Sequence, residues 1–330
     1  MERRKVQLTG GSTYTVSLPK HWAETHDIDA GTHLSLHPKT DGSLLVRTNG
    51  EIEHRRAVER SIDGREPRAL ARMIRALYTT GADVATLTAT EPISTEERRA
   101  VTDATGDLIG LEVVRESDHE VVVRNLLSSD EVSVQQTVVQ LQLTVLSMQR
   151  KAVDAVARGD RSLAERVAQR DGETGRLFAM LCRQYHRAID DPSEASTLGV
   201  DHGELRGYYA TAERLVQVGD CAASMAAVSA DEADEADVAL PDPLLDAARR
   251  ARSVVEDATD VVVNGEGVEQ AYEALDTSDV VLDELDGDDW RSEAGDAYAA
   301  GRFRENVRQT AECGAAIAGL AVRADQYGER

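Results

Sequence analysis

Four cationic side chains near the start of the chain, Arg3, Arg4, Lys5 and Lys20, have the types and spacing to do chemistry on a polyanion. Three are consecutive, and the fourth follows Pro19, where a short β segment gives way to a helix. Arginine can hold O6 and N7 of guanine together, and a lysine beside a helix start suits a phosphate. Their setting sharpens the contrast: residues 1–60 carry nine Lys/Arg against eight Asp/Glu, whereas residues 61–330 carry 28 against 52, a balance of −24. One end of the chain tolerates a polyanion while the remainder repels it. Five of the eight histidines (His21, His26, His33, His37 and His54) also fall in the first 60 residues. His21 and Arg47 are weaker candidates for the same contact.

The elements that must position these cations are short. Val6 and Leu8 alternate with Lys5, Gln7 and Thr9, and Tyr14, Val16 and Leu18 alternate with Thr13, Thr15 and Ser17, so each segment reads as a half-buried strand. Gly10-Gly11 marks the bend, and Pro19 fits the first turn of a helix running to about His26. Leu34 and Leu36 begin a second hairpin, with Asp41-Gly42 as its turn and Leu44 to Arg47 as its return. So small a β-β-helix-β-β unit buries too little surface to stand alone, which predicts a partner.

Further along, the period changes. Leu70, Met73, Ile74, Leu77 and Tyr78 form a helical stripe; Ala82 to Thr90 reads as a strand; Thr95 to Ile109 reads as a second helix; and two apolar runs around Leu111 and Val121 read as a hairpin. From about Ser128 the pattern is long helices. Val134, Val138, Leu141, Val145, Met148, Ala152 and Ala155 follow 4-3-4-3 spacing, as do Leu205, Tyr208, Ala212, Leu215, Gly219, Ala222 and Ala226. Leu215 to Ala226 also matches Val307 to Ala318, with Cys221 falling on Cys313, and the acidic, Pro-containing stretch from Ala230 to Pro243 separates the copies. Two three-helix units in tandem are expected. The chain divides on this reading into residues 1–50, 51–127, 128–238 and 239–330, a multidomain α+β protein.

Several classes of function find no support. There is no phosphate-binding glycine loop and no Ser/His/Asp or Cys/His set at a telling spacing, so no enzyme and no cofactor are expected. Cys182, Cys221 and Cys313 are odd in number and far apart, which suits buried small side chains better than disulfides or zinc. No apolar run approaches the ~20 residues of a membrane span, and the first residues lack the apolar core of a signal peptide, so a cytoplasmic protein is expected. Only Lys5, Lys20, Lys39 and Lys151 are lysines; with a formal charge of −23 and 4% aromatics, the composition is that of a halophilic protein, or of an acidic protein from a GC-rich genome.

Gly10 to Val46, with its Ser-x-x-x-x-Leu-Pro-Lys-x-Trp pattern, resembles the SpoVT/AbrB domain, a swapped-hairpin DNA-binding fold that interlaces two chains. The helical repeat resembles PhoU, the phosphate-uptake regulator, and Leu215 to Ala222 matches a Leu-Glu-Arg-Ile-Gly-Asp-His-Ala-like motif at Leu, Gly, Asp and Ala. The order AbrB-like domain, α/β linker, PhoU-like bundles is similar to that of archaeal phosphate-uptake regulators.

The combined resemblance implies a DNA-binding transcriptional regulator of phosphate uptake and homeostasis. Its partners would be double-stranded DNA, a second copy of the chain, and the ATPase subunit of a phosphate transporter. In PhoU proteins a Glu and an Asp one helical turn apart hold a metal cluster; here those Glu positions are Val216 and Arg308, leaving Asp220 and Glu312, with Asp171 and Asp279 on the preceding helices. Two alternatives stand beside the main reading: a signalling adaptor whose N-terminal domain only dimerises, and a metal-binding helical scaffold.

Overall fold

The computed structural model describes residues 3–38, 42, 44–48, 56–128, 132–230, 240–265, 267–287 and 297–326. Lys39, Asp41 and the acidic stretch 231–239 lie outside the described residues, as do the side chains of Arg47 and Asp171. Residues Met1–Arg55 and Arg56–Arg330 form two compact units.

The first unit holds β1 (Gln7–Thr9), β2 (Thr13–Thr15), α1 (Lys20–Thr25), β3 (Leu34–Pro38) and β4 (Leu44–Thr48). Gly10 and Gly11, at φ 65 and 81, make the first turn, a conformation glycine adopts without strain. The strands form two separate antiparallel ribbons, β1-β2 and β3-β4. Sequence alternation leads one to expect half-buried strands, yet Leu8 and Tyr14, opposite each other in the first ribbon, are 60% and 77% exposed. Val6, Val16, Leu36 and Leu44 are exposed as well, and no described residue of this unit is buried. A two-stranded ribbon has only one neighbour per strand and no second layer, so a single copy leaves its apolar face in water.

The second unit opens with an α/β module: β5 (Ala57–Ser61), α2 (Pro67–Thr79), β6 (Val84–Thr88), α3 (Thr95–Gly106), β7 (Leu111–Glu116) and β8 (Glu120–Asn125). The sheet order is β5-β6-β8-β7, with β5 parallel to β6 and the other pairings antiparallel. β5 is unforeseen in the sequence, because Ala-Val-Glu-Arg-Ser at a sheet edge has only one apolar residue of any size. Pro67 opens α2, which buries Leu70, Ile74 and Tyr78 against Leu87, Val121 and Val123 of the sheet. α3 starts on a reciprocal cap between Ser94 and Glu97.

The helices that follow are α4 (Val134–Arg158), α5 (Arg161–Ala168), α6 (Asp171–Asp190), α7 (Pro192–Leu198), α8 (His202–Ala230), α9 (Asp242–Asn264), α10 (Val268–Asp286) and α11 (Ala297–Gln326). All seven spaced residues read on α4, from Val134 to Ala155, are at most 1% exposed. The short α5 and α7 lie in the connections between the three long helices of the first set. The two sets share cores: Leu141, Leu181 and Leu215 of the first belong to one cluster with Val254, Val255 and Ile317 of the second. Three glutamines at seven-residue spacing on α4 cross the seam to α9. Gln135 and Gln149 donate to the carbonyls of Val263 and Ala248 at 2.8 Å, and Gln142 to Asp260 Oδ1 at 2.8 Å. Gln149 is 1% exposed, so its amide must find a partner there.

One carboxylate fixes the α/β module to the helices. Asp83, just before β6, accepts from Arg183 and Arg187 of α6 through Oδ1 and from the Arg56 backbone N–H at 3.1 Å through Oδ2. Arg183 also donates to the Ala82 carbonyl at 2.6 Å and stacks over the Tyr78 ring, while Arg187 reaches Glu194. Gly81 has φ 93, and a Cβ there would lie 2.8 Å from Arg187 Cγ, so this turn needs glycine on both counts.

Candidate functional site

Arg3, Arg4 and Lys5 lie on the exposed segment leading into β1, and Lys20 is the first residue of α1. The Lys20 side chain is 89% exposed and sits 3.4 Å from Glu24 one turn along, a pairing that strong salt weakens. His21 is exposed on the same helix, next to the half-buried Trp22, whose ring lies 5.4 Å from that of His26. These cations thus occupy open surface of the same unit that leaves Val6, Leu8, Tyr14 and Val16 exposed.

In the helical region the repeat becomes geometry. α8 and α11 run past each other in opposite directions, so that Cys221 donates to Gln309 at 3.3 Å and Cys313 donates to Gln217 at 3.4 Å. Each bond is the other's counterpart in the repeat. An open pocket of about 340 Å³ lies on this crossing, lined by Arg214, Gln217, Asp220, Gln309, Glu312 and Cys313. Arg214 donates to Gln217 at 3.0 Å. All three cysteines are buried and free of disulfides. Burial pushes the Cys221 thiol up to about 12 and that of Cys313 to about 11, which keeps both protonated as donors. Asp220 and Glu312 are therefore brought together in one pocket. Asp279 is exposed on α10, outside it.

The positions at which PhoU proteins carry glutamates are filled differently. Val216 is half-buried and packs against the shared core. Arg308 donates to Asp286 at the end of α10. Among the described residues no three His, Cys, Asp or Glu side chains are grouped to hold a metal ion. A guanidinium at 308 repels a cation and an isopropyl group at 216 offers it no ligand, so these residues do not fit the metal cluster that the PhoU motif implies.

Sequence reasoning missed Gln217, Gln309 and the Asp83 junction. Gln217-x-x-Asp220 and Gln309-x-x-Glu312 do recur in the repeat, and that recurrence was the available signal. Asp83 carries none, because its partners lie a hundred residues away on α6. No helix in the described residues is long and apolar enough to cross a membrane.

Residues 7–53 match the family described as antidote-toxin recognition MazE, bacterial antitoxin, and residues 138–228 match the PhoU domain, covering α4 to α8. No curated protein matches the chain. Among solved structures, the phosphate transport system regulatory protein PhoU from Streptococcus pneumoniae is 15% identical with a TM-score of 0.46, covering 59% of this chain and 94% of its own. PhoU from Pseudomonas aeruginosa is 17% identical with a TM-score of 0.40, covering 58% of this chain and 92% of its own. The chain carries a MazE/AbrB-like domain at its N-terminus and, beyond an α/β module, a PhoU domain.

Proposed function

We propose that this protein is a cytoplasmic, DNA-binding transcriptional regulator of phosphate uptake and homeostasis. Two copies pair through the N-terminal unit, and the PhoU-like body senses phosphate status or a component of the phosphate transporter. The domains are residues 1–50, 51–127, 128–238 and 239–330. The observation that carries the proposal is the first unit itself: two isolated ribbons with Leu8, Tyr14, Leu36 and Leu44 exposed, in the same unit as Arg3, Arg4, Lys5 and Lys20, in a chain whose residues 61–330 are at −24. A second copy supplies the missing layer, and pairing doubles the cations on one face. The acidic body disfavours any approach of its helices to phosphate groups.

Strong salt removes most of the counterion-release drive for binding, so a halophilic version must select DNA through base contacts and a fixed dimer geometry. The body then changes affinity by setting the N-terminal domains relative to each other. Chromatin immunoprecipitation with and without phosphate tests this reading: enrichment at transporter promoters that responds to phosphate is expected. No enrichment, together with capture of the transporter ATPase subunit by residues 128–330, would replace it with the adaptor reading.

A further inference from the structure

Three guanidinium groups converge on the C-terminal turn of α10. Arg308 of α11 donates to Asp286, the last residue of α10. Arg304, one turn earlier, reaches the same Oδ1 at 3.3 Å and donates through Nε to the Leu285 carbonyl at 2.6 Å. From the other side Arg250 of α9 grips Glu284 with both Nη atoms. Arg304 and Arg308 are only 21% and 20% exposed, although Asp286 is 66% exposed. The last carbonyls of a helix lack partners and carry the negative end of its dipole, so guanidinium groups satisfy both needs at this end. Arg250 also holds the Glu284 carboxyl below the usual carboxylate range.

The first set of helices closes by other means. Thr174 packs 3.4 Å from where a Cβ of Gly219 would stand, Tyr185 stacks on Tyr209 at 4.2 Å, and Phe178 meets Tyr209 at 5.9 Å. Val216 adds an apolar contact to the core. The pocket between the sets brings together only two carboxylates, Asp220 and Glu312, beside Arg214, and among the described residues no third His, Cys, Asp or Glu joins them to hold a cation.

We infer that Arg308, which stands at a motif position where PhoU proteins carry a metal-binding Glu, forms with Arg304 and Arg250 a built-in guanidinium clamp on the end of α10, and that this PhoU-like body holds its tertiary structure without bound metal. The inference concerns the body alone and does not depend on DNA binding.

The test uses full-length protein in molar potassium chloride. After chelation and incubation with manganese, iron(II) or zinc, dialysed wild type is expected to retain less than stoichiometric metal, with the same thermal midpoint in chelator and in manganese. Stoichiometric retention, or a midpoint that falls in chelator, overturns the inference. Arg308→Gln removes one arm of the clamp without adding a carboxylate and should lower the midpoint by roughly 2–4 °C in either condition, the shift a domain of this size shows for about 1 kcal/mol. An unchanged Arg308→Gln midpoint overturns the clamp, whatever the second variant does. Arg308→Glu recreates a carboxylate one turn from Glu312 and opposite Asp286. Its midpoint should fall in chelator and recover in manganese. No recovery means that the guanidinium does not stand in a cation's place.

Discussion

The first 55 residues and the remaining 275 solve the same problem in opposite ways. The body buries Tyr78, Phe303, Leu141, Leu181 and Leu215 almost completely within one chain and pairs the buried Gln142 and Gln149 amides across its own seam. The N-terminal unit buries no described residue, and its apolar side chains stand exposed on two unconnected ribbons. The difference follows from area: one unit has the layers to remove its own apolar surface from water, while the other lacks a second layer. On the proposed reading such a domain is specified by its sequence only together with a second copy, and its cations become a surface of fixed geometry once that copy is in place.

The sharpest way to break this comparison is to remove residues 1–55. The remaining chain should still unfold cooperatively but run as a monomer, whereas full-length protein should be a dimer at micromolar concentration; sedimentation equilibrium decides, and a dimeric truncation would move the interface into the body. Point substitutions come next in size. Phe303→Ala, at a side chain 0% exposed, should cost about 3–5 kcal/mol by the usual cavity penalty. Asp83→Ala leaves Arg183 and Arg187 facing each other with their shared carboxylate gone and should cost about as much, roughly 3–5 kcal/mol. Leu8→Ala should leave the body's denaturant midpoint in place and weaken dimerisation. If Leu8→Ala destabilises the body as Phe303→Ala does, the two units are not separate solutions.

How much of this was legible in the sequence also divides along that line. The seams of α4 and α8 could be read residue by residue, because 4-3 spacing and burial coincide when a helix packs within its own chain. The α/β module yielded α2, β6, α3 and the β7-β8 hairpin, but not β5, whose edge position removes the apolar pattern. The short helices α5 and α7 lie in turns and carry too few residues for a period. In the N-terminal unit the order of elements was readable, and the half-burial was not, since alternation reports which face wants cover without saying which chain supplies it. At the α8/α11 crossing, Asp220 and Glu312 were singled out for a resemblance. Their neighbours Gln217 and Gln309 recur in the repeat, but the pairing of Gln309 with Cys221 and of Gln217 with Cys313 follows only once two antiparallel helices bring i and i+4 positions together.

Salt separates the units further. Self-repulsion from −24 acts across ~30 Å at 0.01 M and is confined to ~3 Å at 1 M. The body's thermal midpoint should therefore rise between dilute and molar potassium chloride, and equal midpoints would show that its acidity is not a stability constraint. The N-terminal cations should respond in the opposite sense. Arg4→Ala or Lys20→Ala should weaken promoter binding and lower the slope of log K against log salt by about one for each phosphate that is no longer neutralised. Equal retention of wild type and both variants on promoter DNA would remove these residues from the interface.

The smallest effect expected is alkaline, and it belongs to the body alone. Burial raises Cys221 to about 12, Cys313 and Cys182 to about 11 and Tyr78 to about 12, so each favours its protonated form in the fold. An unfolded thiol ionises near 9 and an unfolded phenol near 10, so above those values the unfolded chain binds fewer protons than the folded one. The stability these groups contribute is complete below about pH 9 and is lost as pH rises toward 12. Between pH 7 and 8 the midpoint should not move on their account. Cys221→Ala gives up the thiol donor to Gln309 at 3.3 Å, which lowers the midpoint slightly at neutral pH, but it also removes one of the groups that must stay protonated. Its midpoint should therefore fall less steeply than wild type between pH 9 and 11, and the truncated chain lacking residues 1–55 should show the same slope as full-length protein. Parallel decline of wild type and Cys221→Ala would mean that the thiol ionises as readily in the fold as out of it. The packing assigned to the α8/α11 crossing would then be wrong.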